Sequence, residues 1–366
     1  MSRARDFADL AGSADAGGIT GRNMLINGAM QVKQRPDQTT STTTNNYFVD
    51  RFNVYIQATA VASLTQSTDV PSGQGFSHSA KIDVTTANAS PAAGDQAHFR
   101  QILEGQDLQH LCYGTSSAKK LTLSFWVKSS KTGTYIIEFY NAASGGAKQQ
   151  SQSYTISAAD TWEHKTITID GDTSTSIDNT STTELYVQWV LQAGSNYQSG
   201  TLNTSWNSPT TANRYVGQVN FFDNTSNNMY ITGAQLEVGA ATPFEHRSFG
   251  DELFRCQRYY QAHGNGVSGL SFSINDMPAS IATDTVNITG KFFVKMMRAA
   301  PTMVIYSRNS TANKVSLVAT GADYATSTFA PNVIGVTGFH VVSRSGGSNL
   351  TKGDGLEYGY TADAEL

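Results

Sequence analysis

The sequence predicts an all-β chain: an antiparallel jelly-roll sandwich, then a short helix, then a smaller C-terminal β-sandwich. Three observations predict it. Apolar residues recur with a period of two along many short stretches, the signature of strands with one buried face. Segments rich in Gly, Asn and Ser separate those stretches, and the chain holds 32 glycines in 366 residues. Beyond residue 22, helical spacing interrupts the strand rhythm only around residue 250, and many short strands with no long helix between them mean an antiparallel sandwich or barrel.

Residues 1–22 stand apart. Phe7, Leu10, Ala11 and Ala14 recur at helical spacing before the Gly17–Gly18 break. A helix this short is marginal alone. Arg3, Arg5, Asp6 and Asp9 give it a polar back, so the segment reads either as a frayed tail or as a peg that orders in a groove of a partner.

From residue 23 to 247 strand-like stretches follow at Met24–Val32, Tyr47–Gln57, Ser79–Val84, Ala97–Leu103, Lys120–Lys128 and Thr134–Tyr140. They continue at Gln152–Ile156, Glu163–Ile169, Glu184–Gln192, Gln218–Phe222 and Met229–Val238. In Leu121–Lys128, Leu121, Leu123, Phe125 and Val127 share one face, while Thr122, Ser124, Trp126 and Lys128 share the other. Eleven such stretches suit a two-sheet jelly roll.

Residues 248–264 read as a linker helix. Ser248 stands where an N-cap belongs, with Asp251 and Glu252 in the first turn, and Gly264 can end the helix. Phe249, Leu253, Cys256 and Tyr260 fall at 4, 3, 4 spacing on one stripe, which can form a seam between chains or pack on its own sandwich. Residues 265–366 form the second sandwich, with strands at Leu270–Ile274, Thr285–Lys295, Thr302–Tyr306, Lys314–Ala319, Val333–Ser343 and Gly355–Tyr360.

Composition narrows the function. Charged residues are 15%, against about 25% in an average domain, and the net charge is −4. No clustered positive excess exists to track phosphates, so nucleic-acid binding is excluded. No apolar run approaches the ~20 residues of a membrane helix, and the N-terminus lacks a signal-peptide core. The expectation is a soluble chain made inside a cell. Cys112 and Cys256 cannot make a disulfide framework or a zinc site, and both read as buried free thiols. The seven histidines include no HExxH pair. No metal or cofactor is expected.

Sugar recognition uses aromatic faces together with amide, carboxylate or guanidinium groups. Trp126, lying off the apolar face of its strand, with Glu138 and Tyr140 on a neighbouring strand, forms one candidate platform. Trp206, in a loop of Ser, Asn and Thr, with Tyr197 before it, forms another. For Trp126, packing against a second layer or a subunit interface is the simpler reading. Trp189 and Trp162 read as core. Asp170, Asp172 and Asp178 share a polar loop that could wrap a hard cation, but no closing glutamate follows, so a solvated loop is the simpler reading. Glu138, Glu163, Asp170 and Glu184 supply carboxylates on strands or strand ends without a recognisable catalytic motif. The chain reads as a binder and not an enzyme.

Certain segments carry a resemblance. GRNMLINGAMQVKQRP (Gly21–Pro36), YFVDRFNVY (Tyr47–Tyr55) and GAQLEVGAATPFEHRSFGDELFRCQRYYQ (Gly233–Gln261) resemble tailed-bacteriophage tail-fibre and related virion structural proteins. FFVKMMRAAPTM (Phe292–Met303) and YTADAEL (Tyr360–Leu366) resemble their C-terminal module. LTLSFWVKSSKTGTYIIEFY (Leu121–Tyr140) and TWEHKTITID (Thr161–Asp170) resemble carbohydrate-binding-module jelly rolls.

The resemblance implies a virion component on the tail or another external appendage, assembled in the host cytoplasm. It implies a trimer, with the N-terminal segment as the anchor to other virion proteins and a host-surface glycan as the target. The chain departs from long fibres in lacking a collagen-like or coiled-coil shaft, so a compact short fibre, a tip or an accessory surface protein is expected. The alternative is a purely architectural adaptor or decoration protein; a glycan depolymerase ranks below both.

Overall fold

The computed structural model describes residues 21–41, 45–264, 274–276, 278–282, 285–317, 320–323, 329–332, 334–343 and 356–366. The expected anchor residues Phe7, Leu10, Ala11 and Ala14 lie outside them, as does most of the expected strand Leu270–Ile274. Two units are present. The first takes residues 21–33, Asp37–Phe249 and Leu366; the second takes Gln34–Pro36 and Gly250–Glu365.

Twelve strands build the first unit: β1 (Gln38–Ser41), β2 (Asn46–Val49), β3 (Phe52–Gln57), β4 (Val61–Ser67), β5 (Ser79–Thr86), β6 (Gln96–Glu104), β7 (Leu121–Ser129), β8 (Gly133–Asn141), β9 (Lys148–Ile156), β10 (Glu163–Ile169), β11 (Thr183–Ala193) and β12 (Asn228–Val238). One sheet has the order β1-β4-β5-β12-β7-β10 and the other β2-β3-β6-β11-β8-β9. Every pairing in both is antiparallel. This is the predicted two-sheet jelly roll. Successive strands repeatedly change sheet, and β7 and β8, joined by a tight turn, lie in different layers.

The inner faces are the apolar sets that alternation predicts. Leu121, Leu123, Phe125 and Val127 of β7 are all fully buried. Phe125 meets Trp189 of β11 edge to face at 5.5 Å and 88°, so aromatic rings from the two layers interdigitate. Phe99 stacks on Phe52 at 5.0 Å on the Trp189 side of the core. Each such side chain contributes about 1.5–3 kcal/mol by leaving water.

Several expectations need correction. Met24–Val32 is not a strand but a buried loop. Asn27 and Met30 adopt φ of 61° and 55°, and the Asn27 side chain donates to the carbonyls of Val32 and Asp50 and accepts from Val32 N–H. A strand cannot form where left-handed residues turn the chain so tightly. Gln218–Phe222 likewise ends in a 3-10 turn, Phe221–Asp223. Tyr47–Gln57 is a hairpin, β2 and β3, broken at Arg51 with φ of 71°. Trp162 is half-buried and donates to Asp69, so it is not core. Cys112 is exposed, while Cys256 is a buried thiol as expected.

Two of the segments that carry the resemblance pack on each other. Asn23 donates to Ala234 O and accepts from Leu236 N–H. The Glu245 carboxylate accepts from the backbone N–H groups of Gly21 and Asn23. Burial would raise the Glu245 pKa, but those N–H groups and Arg247 outweigh it and hold it below the usual carboxylate value.

The helix α1 spans Phe249–Cys256, and the chain then turns into strand β13 (Tyr260–His263) of the second unit. The predicted helical stripe is therefore corrected. Tyr260 is a strand residue, and Cys256 and Tyr260 are buried by their own chain, leaving Phe249 exposed and Leu253 half-buried. The remaining strands are β14 (Ile274–Asp276), β15 (Pro278–Ala282), β16 (Thr285–Phe292), β17 (Thr302–Ser307), β18 (Ser316–Leu317), β19 (Phe329–Asn332), β20 (Gly338–Ser343) and β21 (Leu356–Asp363). The C-terminal strand β21 pairs with β13, β14, β17 and β18, while β15-β16-β20-β19 forms a separate sheet. Ile305, Phe339, Leu356, Tyr358 and Ala362 lie in its buried core.

Candidate ligand-binding site

The outer face of the β2-β3-β6-β11-β8-β9 sheet carries an unusual load of aromatic and polar side chains. Because alternate residues point the same way, the register sets them in rows. One row runs Asn53, Arg100, Gln188, Glu138, Ser151 across five strands. Beside it stand Tyr55 and His98 on one side, and Tyr186 and Tyr140 on the other.

The loop between β11 and β12 folds over part of this face. Its residues Asn203 and Asn207 bond to the backbone of β9, and Tyr215 is driven fully into the face among Ile136, Val190 and Ala193. Arg214, beside it, grips Glu138 with two bonds of 2.7 Å. Gln188 Nε2 at 2.6 Å and Tyr215 OH at 3.1 Å complete the shell of the carboxylate. Burial alone would lower the Arg214 pKa, but the Glu138 charge outweighs it and holds the guanidinium above its ordinary value. Burial, reinforced by Glu138, pushes the Tyr215 phenol well up.

What the loop leaves open is a shallow recess of about 170 Å³ floored by His98, Arg100 and Gln188, with Tyr55, Tyr140 and Tyr186 around it. His98 is only 2% exposed. Its ring stacks on Tyr55 at 5.5 Å and 13°, and meets Tyr215 at 5.3 Å and 65°. Burial, with the charges of Arg100 and Arg214, holds the His98 pKa well below the ordinary imidazole value, so the ring is neutral at pH 7. Both ring nitrogens are buried without a hydrogen-bond partner. An unmade hydrogen bond at such a group costs about 1–3 kcal/mol.

The sequence-predicted platform divides among three places. Tyr140 and Tyr197 flank Arg214, whose guanidinium lies 5.6 and 5.8 Å from their rings. Tyr140 lines the recess, and Tyr197 stacks on Tyr215 at 5.3 Å. Glu138 belongs to the same cluster but is sealed at 0% exposure by its four bonds, so it is a support for the site and not a ligand contact. Trp126 does not join them, because β7 lies in the opposite sheet. It opens on a separate hollow of about 550 Å³ with Phe76, His164, Phe244 and His246. Trp206 lines a third, polar hollow of about 320 Å³ with Asp170 and Asp172, and its Nε1 donates to Asp170 O at 2.7 Å.

The three loop aspartates have separate partners: Asp170 pairs with Lys120, Asp172 caps Ser174 and Thr175, and Asp178 accepts from Ser144. Among the described residues no cluster of three metal-ligating side chains occurs. The residues that sequence reasoning missed are Tyr55, His98, Arg100, Tyr186, Gln188 and Arg214. Alternation signalled five of them, since each falls on the face opposite the apolar set of its strand. Nothing local signalled Arg214.

No family model matches the chain, and no curated protein matches it in sequence. Among solved structures, the chain is similar to the enzymatically active domain of bacteriophage CBA120 tailspike protein 4, at 15% identity and a TM-score of 0.33. The match covers 59% of this chain and 21% of that one, so this chain spans about a fifth of the tailspike's length. It is also similar to the family 11 carbohydrate-binding module of the Clostridium thermocellum cellulase Lic26A-Cel5E (12% identity, TM-score 0.27, 57% of this chain and 98% of that chain). A xylan-binding domain from family 22 gives 14% identity and a TM-score of 0.29, covering 57% and 99% of the two chains. The ligand reading below rests on the side chains of the recess and not on these likenesses.

Proposed function

We propose that this chain binds a glycan on the outer face of its second sheet, as a virion structural protein of a tailed phage. In that reading it is a tail fibre protein contributing to host-surface recognition and adsorption. One observation carries the binding claim: tyrosine rings stand around a guanidinium and an amide in one recess. Flat aromatic faces take the apolar side of a pyranose, and the polar groups take its hydroxyls. The virion role is supported by the resemblance of Gly21–Pro36 and Gly233–Gln261 to phage fibre segments. Binding proceeds without bond cleavage; the bonding of Glu138 to Arg214, Gln188 and Tyr215 removes that carboxylate from acid–base work.

Self-association belongs to the same proposal, as a trimer attached to other virion proteins. Its support now comes from the second unit, where Phe292, Val294 and Met296 are 85%, 64% and 55% exposed on successive alternate positions. Exposed apolar residues grouped in this way favour contact with another chain. Several weak sites on one particle then act together. The same patch favours the second reading, an architectural virion component. The test is adsorption of purified protein to host cells and to their extracted surface polysaccharide. Tyr140→Ala with Tyr186→Ala is expected to weaken binding at least tenfold, and Trp126→Ala to leave it unchanged. Binding that survives the tyrosine pair removes the recess as the site.

A further inference from the structure

We infer that the recess selects an acidic sugar, with Arg100 as the receptor for the carboxylate of a uronic or sialic acid residue. This rests on the glycan reading above and adds the charge class of the ligand.

Arg100 is held in place by neutral groups. Its Nε donates to Asn53 Oδ1 at 3.0 Å and its Nη2 to Asn45 Oδ1 at 2.7 Å. The guanidinium lies 4.7 Å from the Tyr55 ring and 5.5 Å from the Tyr186 ring. These contacts fix the plane of the fork and leave Nη1 without a protein acceptor among the described residues. No Asp or Glu of those residues pairs with it, and burial holds its pKa below the ordinary guanidinium value.

That arrangement is costly for a half-buried cation. Leaving water weakens it, and amide oxygens return less than a carboxylate would. The neighbouring Arg214 shows the ordinary solution, a buried glutamate. The recess therefore keeps one unmatched positive charge in a chain whose net charge is −4. A guanidinium fork with a free edge fits a planar carboxylate through two parallel bonds. His98, beside it, stacks on Tyr55 at 5.5 Å and braces that ring. A recess of about 170 Å³ has room for one ring, and Tyr55, Tyr140 and Tyr186 line it.

The experiment compares immobilised oligomers of galacturonate, glucuronate and N-acetylneuraminate with their carboxyl-reduced forms, and with a sulfated neutral oligomer, using the full chain. At least one acidic oligomer is expected to bind ten times or more tightly than its reduced form. Arg100→Gln should abolish that preference and Arg100→Lys should lose most of it, because a point charge lacks the fork. Both variants are checked for an unchanged melting transition, and Trp126→Ala serves as the control that keeps the preference.

Equal binding of acidic and reduced forms, with Tyr140→Ala weakening both, overturns the acidic inference and leaves the glycan reading standing. Absence of binding to every oligomer overturns both. A sulfated oligomer that binds as tightly as the carboxylate overturns the assignment of the carboxyl group.

Discussion

Arg214 and Glu138 form a two-pronged ion pair, 2.7 Å on each arm, between a loop and strand β8, 76 residues away in sequence. The carboxylate is sealed from solvent, whereas the guanidinium side chain is 19% exposed. This contact joins the backbone bonds of Asn203 and Asn207 to β9 in holding the loop that shapes the recess, so its removal is expected to disturb both stability and binding. Arg214→Ala should cost about 3–5 kcal/mol, because it strands a buried carboxylate. The double variant Glu138→Met, Arg214→Met should recover much of that stability but not ligand binding. Denaturant titration of the three chains measures the first effect; a double variant no more stable than Arg214→Ala would show that the stranded carboxylate is not the source of the loss.

His98 makes stability depend on pH in a definite direction. Its folded pKa is depressed below the unfolded value near 6.5, so between the two values the unfolded chain binds a proton that the folded chain refuses. The stability it contributes is complete above pH 6.5 and is lost as pH falls toward the folded value, at up to about 1.4 kcal/mol per pH unit. His78, His110 and His164 are shifted down by burial too and act in the same sense. The measurement is therefore a difference: melting of the native chain against His98→Phe from pH 7.5 to 5. The variant should show a shallower slope; parallel curves would count against a buried neutral His98.

Gly28 sits where backbone meets backbone. A Cβ there would lie 2.0 Å from Ala234 O, and Ala234 N–H already donates to Gly28 O at 3.0 Å. Carbonyl oxygen in a central strand cannot yield as a flexible side chain could. Gly28→Ala is expected to destabilise the first unit by about 1–3 kcal/mol, read by calorimetry. Gly94→Ala, with open space at its Cβ, is the matched control.

The exposed apolar residues of the second unit predict an assembly that charge should break. Light scattering of the native chain should report three times the 39.3 kDa of one chain. Phe292→Asp with Val294→Asp should give monomer, while the buried neighbour Phe293 keeps the local packing. A native chain that stays monomeric at micromolar concentration would remove the trimer, and a charged variant that stays trimeric would move the interface elsewhere.

The period-two runs of the sequence determined the fold class and most of the core. Leu121–Val127 could bury one face only as a strand, because every second side chain points the same way whatever the strand pairs with. The same alternation put Arg100 opposite Phe99, and Gln188 opposite Trp189, on the outer face, although it did not say that they would meet. Met24–Val32 misled because an apolar run looks alike in a strand and in a loop buried by its own neighbours. Only Asn27 and Gly28, in their tertiary setting, decide between the two.

The grouping of the site was a tertiary decision. Trp126 and Glu138 are twelve positions apart, but one turn carries the chain from one sheet to the other and places them in different layers. Arg214 reaches Glu138 through a loop that no local pattern constrains, since its position is set by backbone pairing of Asn203 and Asn207 with β9. Periodicity is a property of neighbours along the chain and survives without tertiary contact. The recess depends on which strands are adjacent and which loop covers them, and those are properties of long-range pairing that residue order alone leaves undetermined.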